Sequence, residues 1–512
     1  MHQSANIRKK PQIPGSKLSP RLIAGILVAL FFGAALSFRV VFPYDHVFVG
    51  DWIKFTGTDA WYHMRIVDNL VHNFPHLNAI DPYLLYPVPM EFGIERFFDY
   101  FLAIIIWIIG LGSPTQHTVD MVGVYLPAIL GALVVIPVYF TGKVLINRWV
   151  GVIAAGLIAF SPGEFLGRSI IGQADHHVLE VLCSTAAMLF IILAIQSARQ
   201  KQLALSHFKT WNSAVIVKPL VYSVLAGIVL GVYLNSWLGA LLFIFILFVY
   251  LIIQFIIDYA RGANSDYLCF IGAVTFLVTL VVTLLLPHAT MQIAALFIAL
   301  ITTVILGILS QFMRRYRVRA AYYLLVLIGL GVVELVIFYV IKNDLFNYMV
   351  SSFSLLMPTG ARQTIEEAER FLFPAGEFSF ILVWLNFTTG SILALASLGI
   401  FIYFVVKEGE PDKTLVVIWS LVILVITLSM RRFAYYLAVN VAVLAGYVAW
   451  LILQFFGFKE EAAQSAMMAE DAARKAKQKK SKKKDARSGS RLPVKAFGAV
   501  IVFFLVLFPN II

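Results

Sequence analysis

Asp175, His176 and His177 stand together in the stretch IIGQADHHVLE, with Glu180 five residues after Asp175. A carboxylate and an imidazole two positions apart, Asp175 and His177, can point at one centre from a loop or a frayed helix start. That pair suits Mn²⁺, and also Zn²⁺ or Fe²⁺. Two ligands do not fill a coordination shell, so further donors are expected from other segments. GTDAWYHMR holds Asp59, Tyr62, His63 and Arg65, DPYLLYP holds Asp81, and RQTIEEAERF holds Arg362, Thr364, Glu366, Glu367 and Glu369. Asp59 and Glu367 are the expected third and fourth ligands. The pair Arg431 and Arg432 in MRRFAYYLA is basic, and Arg168 and Arg432 add fixed cations. Cations beside a metal make an anion site, most naturally for a phosphate. Read singly, D-x-H is as readily a solvated loop, and the three glutamates are more readily a solvated acidic helix. Convergence of three acidic motifs and a basic pair on one side of the molecule favours a site.

That convergence depends on the elements between the motifs. The chain has 512 residues, of which 60% are hydrophobic and 13% charged. Soluble domains carry about 25% charged residues, so this is a membrane protein. The net charge of +12 comes largely from Arg474 to Arg491, which argues against a nucleic-acid surface. Cys183 and Cys269 both lie in apolar stretches and support neither a disulfide frame nor a metal knuckle. The run 22–41 follows a basic N-terminus and is long enough to span, without a small-residue cleavage site after it. About fourteen apolar runs follow one another along the chain.

Lys and Arg in short loops favour the cytoplasm, which places 143–148, 199–209, 314–319 and 474–491 inside. All four agree only if the short run 97–112, with Asp99 near its start, fails to cross. The reading is an all-α, polytopic protein of about thirteen transmembrane helices. Segments 42–119, 162–177 and 343–378 are its outer loops, and 457–493 is a cytoplasmic basic linker that touches anionic lipid headgroups. Every acidic motif then falls on the outer face. Glu334, the one charge deep in a span, is read as a packing or hydrogen-bonding residue.

A metal and arginines at the outer boundary can hold the diphosphate of a lipid-linked donor, whose tail would lie between spans. The metal would neutralise charge on the leaving group. The order G-x-D, R-x6-D-x-H, T-I-x-E and R-F-x-Y-Y resembles the catalytic subunit of oligosaccharyltransferase, over essentially the whole chain, and DHH looks archaeal. The resemblance implies a C-type glycosyltransferase architecture and protein N-glycosylation. In that reaction an oligosaccharide passes from a polyprenyl (dolichyl) phosphate or diphosphate to asparagine of Asn-x-Ser/Thr. It implies Asp59, Asp175, His177 and Glu367 as metal ligands, Mn²⁺ or Mg²⁺ as cofactor, and Asp59 and Glu367 as catalytic groups that accept the amide N–H bonds. Arg168 and Arg432 would bind donor phosphate, with Tyr233 and Trp237 of YLNSWLG lining the donor pocket. Thr364 and Ile365 belong to the T-I-x-E loop, and His63, Arg65, Asp81 and His176 are further motif residues.

Family members also carry an outer domain with W-W-D-Y-G, a motif absent from this sequence. The expectation is therefore a membrane part without that C-terminal domain, either as a fragment or with acceptor recognition lost or supplied by another chain. The expected partners are a lipid-linked oligosaccharide, an acceptor protein or peptide, and membrane lipid, with no nucleic acid. The expected location is the cell membrane, with the active site on the extracytoplasmic face. The alternatives are another polyprenyl-phosphate-sugar glycosyltransferase, protein O-mannosyl or lipid-modifying, and a lipid-linked-sugar transporter.

Overall fold

The computed structural model describes residues 19–77, 80–84, 86–88, 90–91, 96–341, 366–458 and 492–510. Within them the chain is helical apart from two antiparallel two-stranded ladders, in which Phe48 pairs with Ile53 and Ile80 with Glu91. The principal helices, in chain order, are α1 (Pro20–Val41), α2 (Thr58–Asn73), α3 (Phe97–Ile109), α4 (Gln116–Leu133), α5 (Val135–Leu145), α6 (Arg148–Ala159), the single turn α7 (Glu164–Gly167), α8 (His177–Gln200), α9 (Ser213–Ser236), α10 (Leu241–Ala260), α11 (Asp266–Leu284), α12 (Thr290–Arg315), α13 (Ala320–Ile341), α14 (Gly390–Glu408), α15 (Pro411–Ser429), α16 (Ala434–Phe455) and α17 (Leu492–Val502).

Among the described residues, ten helices are long and apolar enough to cross a membrane. The chain is a multi-pass membrane protein. Four further apolar helices are shorter: Phe97–Ile109, Arg148–Ala159, Ala320–Val336 and Val494–Asn510. Length alone does not separate those four, but their neighbours do so for α6. Just before it, the Val144 carbonyl accepts from Gln196, near the end of α8, at 3.0 Å. At its own end, the Ala159 carbonyl accepts from Arg39, near the end of α1, at 3.2 Å. The helix therefore runs from one end of the bundle to the other. Asn147 starts it by accepting from the backbone N–H groups of Trp149 and Val150, which satisfies two donors that a helix start leaves unpaired.

Helix α2 lies in a segment that the sequence reading treats as loop. Its buried residues are Ala60, His63, Met64, Ile66, Val67, Leu70 and Val71, a stripe recurring every three to four positions, as a helix with one inward face requires. That face packs against α3. The interior of the bundle is formed by α8, α16, α9 and α6, with α8 against α9 and α16 against α6 and α14.

Arg39 is the largest charged side chain in the interior and is fully buried. Among the described residues no carboxylate pairs with it. Its guanidinium donates to Ser169 Oγ at 2.9 Å and to the carbonyls of Ala35 and Ala159 at 3.0 and 3.2 Å. It lies over the Phe165 ring at 5.1 Å. One residue thus ties α1 and the end of α6 to the loop that carries Arg168. Hydrogen bonds to a charged group are worth roughly 1.5–3 kcal/mol. Arg39→Ala is expected to lose about that much stability, read as a lower unfolding midpoint of the detergent-solubilised protein. An unchanged midpoint would contradict this role.

Candidate metal and anion site

Four elements meet at one end of the bundle. The first is the start of α2, where Gly57 has φ +81°, a conformation that L side chains rarely adopt. That turn sets Asp59 in the first turn of the helix, where a carboxylate is favoured by the helix dipole. Asp59 is exposed. The second is the loop from Gly163 to His177. Gly163 has φ +67°, and a Cβ there would come within 2.3 Å of Asn386 Oδ1. The same Asn386 oxygen accepts from the Glu164 backbone N–H at 2.8 Å, so only glycine lets the loop seat Glu164. The third element is the 3-10 turn Glu366–Ala368, and the fourth is the turn Arg431–Phe433 that starts α16. Between them lies a cleft of about 450 Å³, whose lining includes Asp59, Glu164, Arg168, Asp175, His177, Glu367 and Arg431.

Asp59, Asp175 and His177 each place a ligand atom within 4.8 Å of the other two. His177 Nε2 is 3.2 Å from Asp175 Oδ2. On the far side of the ring, Nδ1 is 3.1 Å from Glu180 Oε1. With Nδ1–H donating to Glu180, the Nε2 lone pair faces the carboxylate of Asp175, as in a histidine that ligates a metal. In that tautomer a metal ion between the two atoms would satisfy both lone pairs. Two carboxylates and one imidazole form a hard-to-borderline donor set, which fits a divalent ion.

Glu180 is fully buried and also accepts from the hydroxyls of Tyr435, at 2.9 Å, and Tyr436. It holds the orientation of His177 from behind, as carboxylates behind metal-ligating histidines do. Glu180→Gln keeps the shape but presents an amide to groups that are donors. Mn²⁺ affinity, read by titration calorimetry, is expected to fall roughly tenfold, the lower end for such partners. Unchanged affinity would remove Glu180 from this role.

Asp175 is buried. Burial alone would push its carboxyl up, but His177 and His176 hold it well below the usual carboxylate range. His63 is oriented by Asp99, 2.6 Å from its Nδ1. Burial opposes its charging, yet Asp99 and Asp175 together push it up to about 10.

The arginines are partly engaged. Arg168 donates to Glu164 at 3.1 Å and pairs with Glu367 at 3.0 Å. Its guanidinium lies 5.2 Å over the Tyr435 ring. Arg431 donates to Glu164 at 2.7 Å and to Glu366 at 2.5 Å. Glu367 is held below its ordinary range by Arg168 and Arg432, which outweigh its burial. Arg432 stacks 5.2 Å over the Trp237 ring. Its Nε is buried, without a hydrogen-bond partner among the described residues. An orphaned buried donor on a cation is what an anion would satisfy.

Of the residues expected at the site, Asp59, Asp175, His177, Glu367 and Arg168 line the cleft. Glu367 lies outside the close donor group and spends its carboxylate on Arg168. His63 and His176 sit behind Asp175. Trp237 lies against Arg432, and Tyr233 is buried with its hydroxyl bonded to that of Tyr436. Arg65 and Asp81 stand apart. They form a two-pronged ion pair with each other that holds the Asp81 carboxyl down to about 2, and Arg65 lines a separate hollow. Thr364 and Ile365 lie outside the described residues. The sequence reading assigned no site role to Glu180, Asp99 or Glu164, and took Arg431 only as the partner of Arg432 in a basic pair. Glu180 was visible at one helical turn from His177; the others show no local signal.

The fold defines a polytopic membrane protein, with a cluster of candidate metal-ligating side chains and arginines at one end of its bundle. The chain belongs to the STT3 family: residues 26–373 match the family described as oligosaccharyl transferase STT3, N-terminal. Dolichyl-phosphooligosaccharide-protein glycotransferase 3 of Archaeoglobus fulgidus is 28% identical over 428 residues, covering 80% of this chain and 48% of that protein. Dolichyl-monophosphooligosaccharide-protein glycotransferase AglB of Haloferax volcanii is 27% identical over 484 residues, covering 79% and 46%. The chain thus spans about half the length of the curated relatives it matches. In fold it is similar to Archaeoglobus fulgidus AglB in complex with an inhibitory peptide and a dolichol-phosphate (TM-score 0.82, 24% identity, 97% of this chain and 56% of that one). A complex of the Archaeoglobus fulgidus oligosaccharyltransferase with Zn and sulfate has a TM-score of 0.70 at 21% identity, covering 95% and 52%.

Proposed function

We propose that this chain is the membrane part of an N-glycosylating oligosaccharyltransferase. It binds the phosphate end of a polyprenyl-linked oligosaccharide and presents the first sugar to an asparagine amide. The observation that carries this reading is the pairing, at one end of the bundle, of the Asp59, Asp175 and His177 donor group with the orphaned guanidinium Nε of Arg432. Asp59, Asp175 and His177 would hold a divalent ion, Mn²⁺ or Mg²⁺. That ion would supply neutralisation of charge on the departing phosphate.

The chain's own groups do the rest. Arg432 binds donor phosphate through its free N–H, with Trp237 fixing the guanidinium plane. Arg168 and Arg431 set the positive side of the cleft. Glu367 and Asp59 both line it, and an asparagine side chain donating an N–H to each would lose some of the amide resonance that makes the nitrogen a poor nucleophile. The ten long helices together with Arg148–Ala159, Ala320–Val336 and Val494–Asn510 make thirteen crossings, with Phe97–Ile109 confined to the outer side. This topology puts the cleft on the extracytoplasmic face of the cell membrane, and the segment from 457 to 493 inside.

The reading is tested by donor binding to the chain reconstituted in liposomes, with a labelled dolichyl-phosphate oligosaccharide. Binding is expected to saturate in Mn²⁺ or Mg²⁺, to fall on chelation and to recover when either ion is restored. Absence of any saturable binding would overturn the reading.

A further inference from the structure

The histidines behind Asp175 are organised in a way that a single ion does not use. Each of the three has one ring nitrogen against a carboxylate outside the cleft and the other turned to Asp175. His177 meets Glu180 at 3.1 Å and Asp175 Oδ2 at 3.2 Å. His176 meets Glu180 at 3.2 Å through Nε2 and Asp175 Oδ1 at 2.5 Å through Nδ1. His63 meets Asp99 at 2.6 Å through Nδ1 and Asp175 Oδ1 at 3.3 Å through Nε2. The two Asp175 oxygens therefore face different partners: Oδ2 faces His177, and Oδ1 faces His63 and His176. His63, Asp175 and His176 form a close donor group of their own.

We infer that His63, His176 and Asp175 Oδ1 form a second divalent-cation site, bridged to the first by the Asp175 carboxylate. Donors bound at about 2.0–2.1 Å around a tetrahedral ion stand roughly 3.3–3.4 Å apart. His63 Nε2 lies 3.3 Å from both Asp175 Oδ1 and His176 Nδ1. The third edge, 2.5 Å between His176 and Asp175, has to open by roughly 0.8 Å to reach that spacing.

Charge is compatible with it. Asp99, Asp175 and Glu180 are buried, and Arg96 is the buried cation that pairs with Asp99. With Asp59 included and the imidazoles neutral, the two donor groups and their supports carry three negative charges in excess; one dication leaves one negative charge and two leave one positive charge, so the geometry carries the inference. Two imidazolium protons, on His63 and His176, are the competing way to offset that excess. Both orienting carboxylates, Asp99 behind His63 and Glu180 behind His176, match the outer shell of a histidine–metal site. A carboxylate shared by two ions is the arrangement of two-metal phosphate sites.

The inference depends on the proposed transfer reaction only through the shared Asp175, and its test uses neither donor nor acceptor. Purified protein is titrated with Zn²⁺ and with Mn²⁺ at neutral pH, counting ions by calorimetry and elemental analysis. The wild type is expected to hold two per chain, with an exchange-coupled Mn²⁺ spectrum by electron paramagnetic resonance. His63→Ala is expected to hold one, with an uncoupled spectrum, and Asp59→Ala to keep the ion at His63 and His176. A wild type that saturates at one ion overturns the inference whether or not the variants fold, and leaves the protonated-histidine network in its place. A His63→Ala protein that binds none also overturns it, because His63 would then belong to a single site. Failure of either kind leaves the donor-binding test standing, and failure of that test leaves the ion count untouched.

Discussion

Asp175→Ala is expected to abolish cation binding at the cleft and to lower sugar transfer, in a system competent for it, by more than about 100-fold. Partners behind a metal ligand typically affect metal affinity by 10–100-fold, and a ligand must exceed what its supports contribute. Asp175 is also the carboxylate on which His63, His176 and His177 all converge. Its removal leaves each of the three imidazoles with one carboxylate partner in place of two. Mn²⁺ titration and peptide glycosylation should fail together, while the helical content by circular dichroism should hold, because Asp175 lies outside the helices that form the bundle. Wild-type transfer by Asp175→Ala, with divalent metal present, would refute the metal-site mechanism.

Arg432→Ala should act on donor binding rather than on the metal. The side chain has a buried Nε with no partner among the described residues and a fixed plane against Trp237. A charge-assisted contact to phosphate is worth on the order of 1.5–3 kcal/mol, so the donor dissociation constant should rise about tenfold or more. Mn²⁺ affinity should stay within twofold or so of the wild type. Arg432→Lys should restore little, because an ammonium has neither the planar stack nor the fork. Equal donor affinity in Arg432→Ala and the wild type would move the phosphate elsewhere in the cleft.

The membrane architecture was legible because span length and apolar composition are properties of single stretches. The D-x-H pair was legible for the same reason, since Asp175 and His177 are neighbours in sequence. What escaped was register in three dimensions. Arg65 and Asp81 carry residue types that suit the site, yet they satisfy each other across 16 positions and leave it. Glu180 takes its tyrosine partners from 255 and 256 positions away, a pairing that no local pattern encodes. Asp99 was read only as a mark against crossing. Its contact with His63 depends on the inward stripe of α2, in a segment whose polar residues suggest loop. Glu367 lies in the expected cleft, but the expected fourfold donor set did not anticipate that Arg168 would compete for its carboxylate.

That competition has a consequence for how an anion enters. The guanidinium of Arg168 already faces Glu164 and Glu367, and that of Arg431 faces Glu164 and Glu366. A phosphate that reached Arg168 or Arg431 would have to exchange places with a carboxylate, whereas Arg432 Nε has no such partner among the described residues. Those carboxylates stay tethered beside the cleft and already offset the two guanidinium charges, so long-range attraction to them is expected to be weak and the effect of ionic strength shallow. Selectivity would then come from which anion fits the guanidinium planes better, and a phosphate seated on Arg168 would release the carboxylate of Glu367.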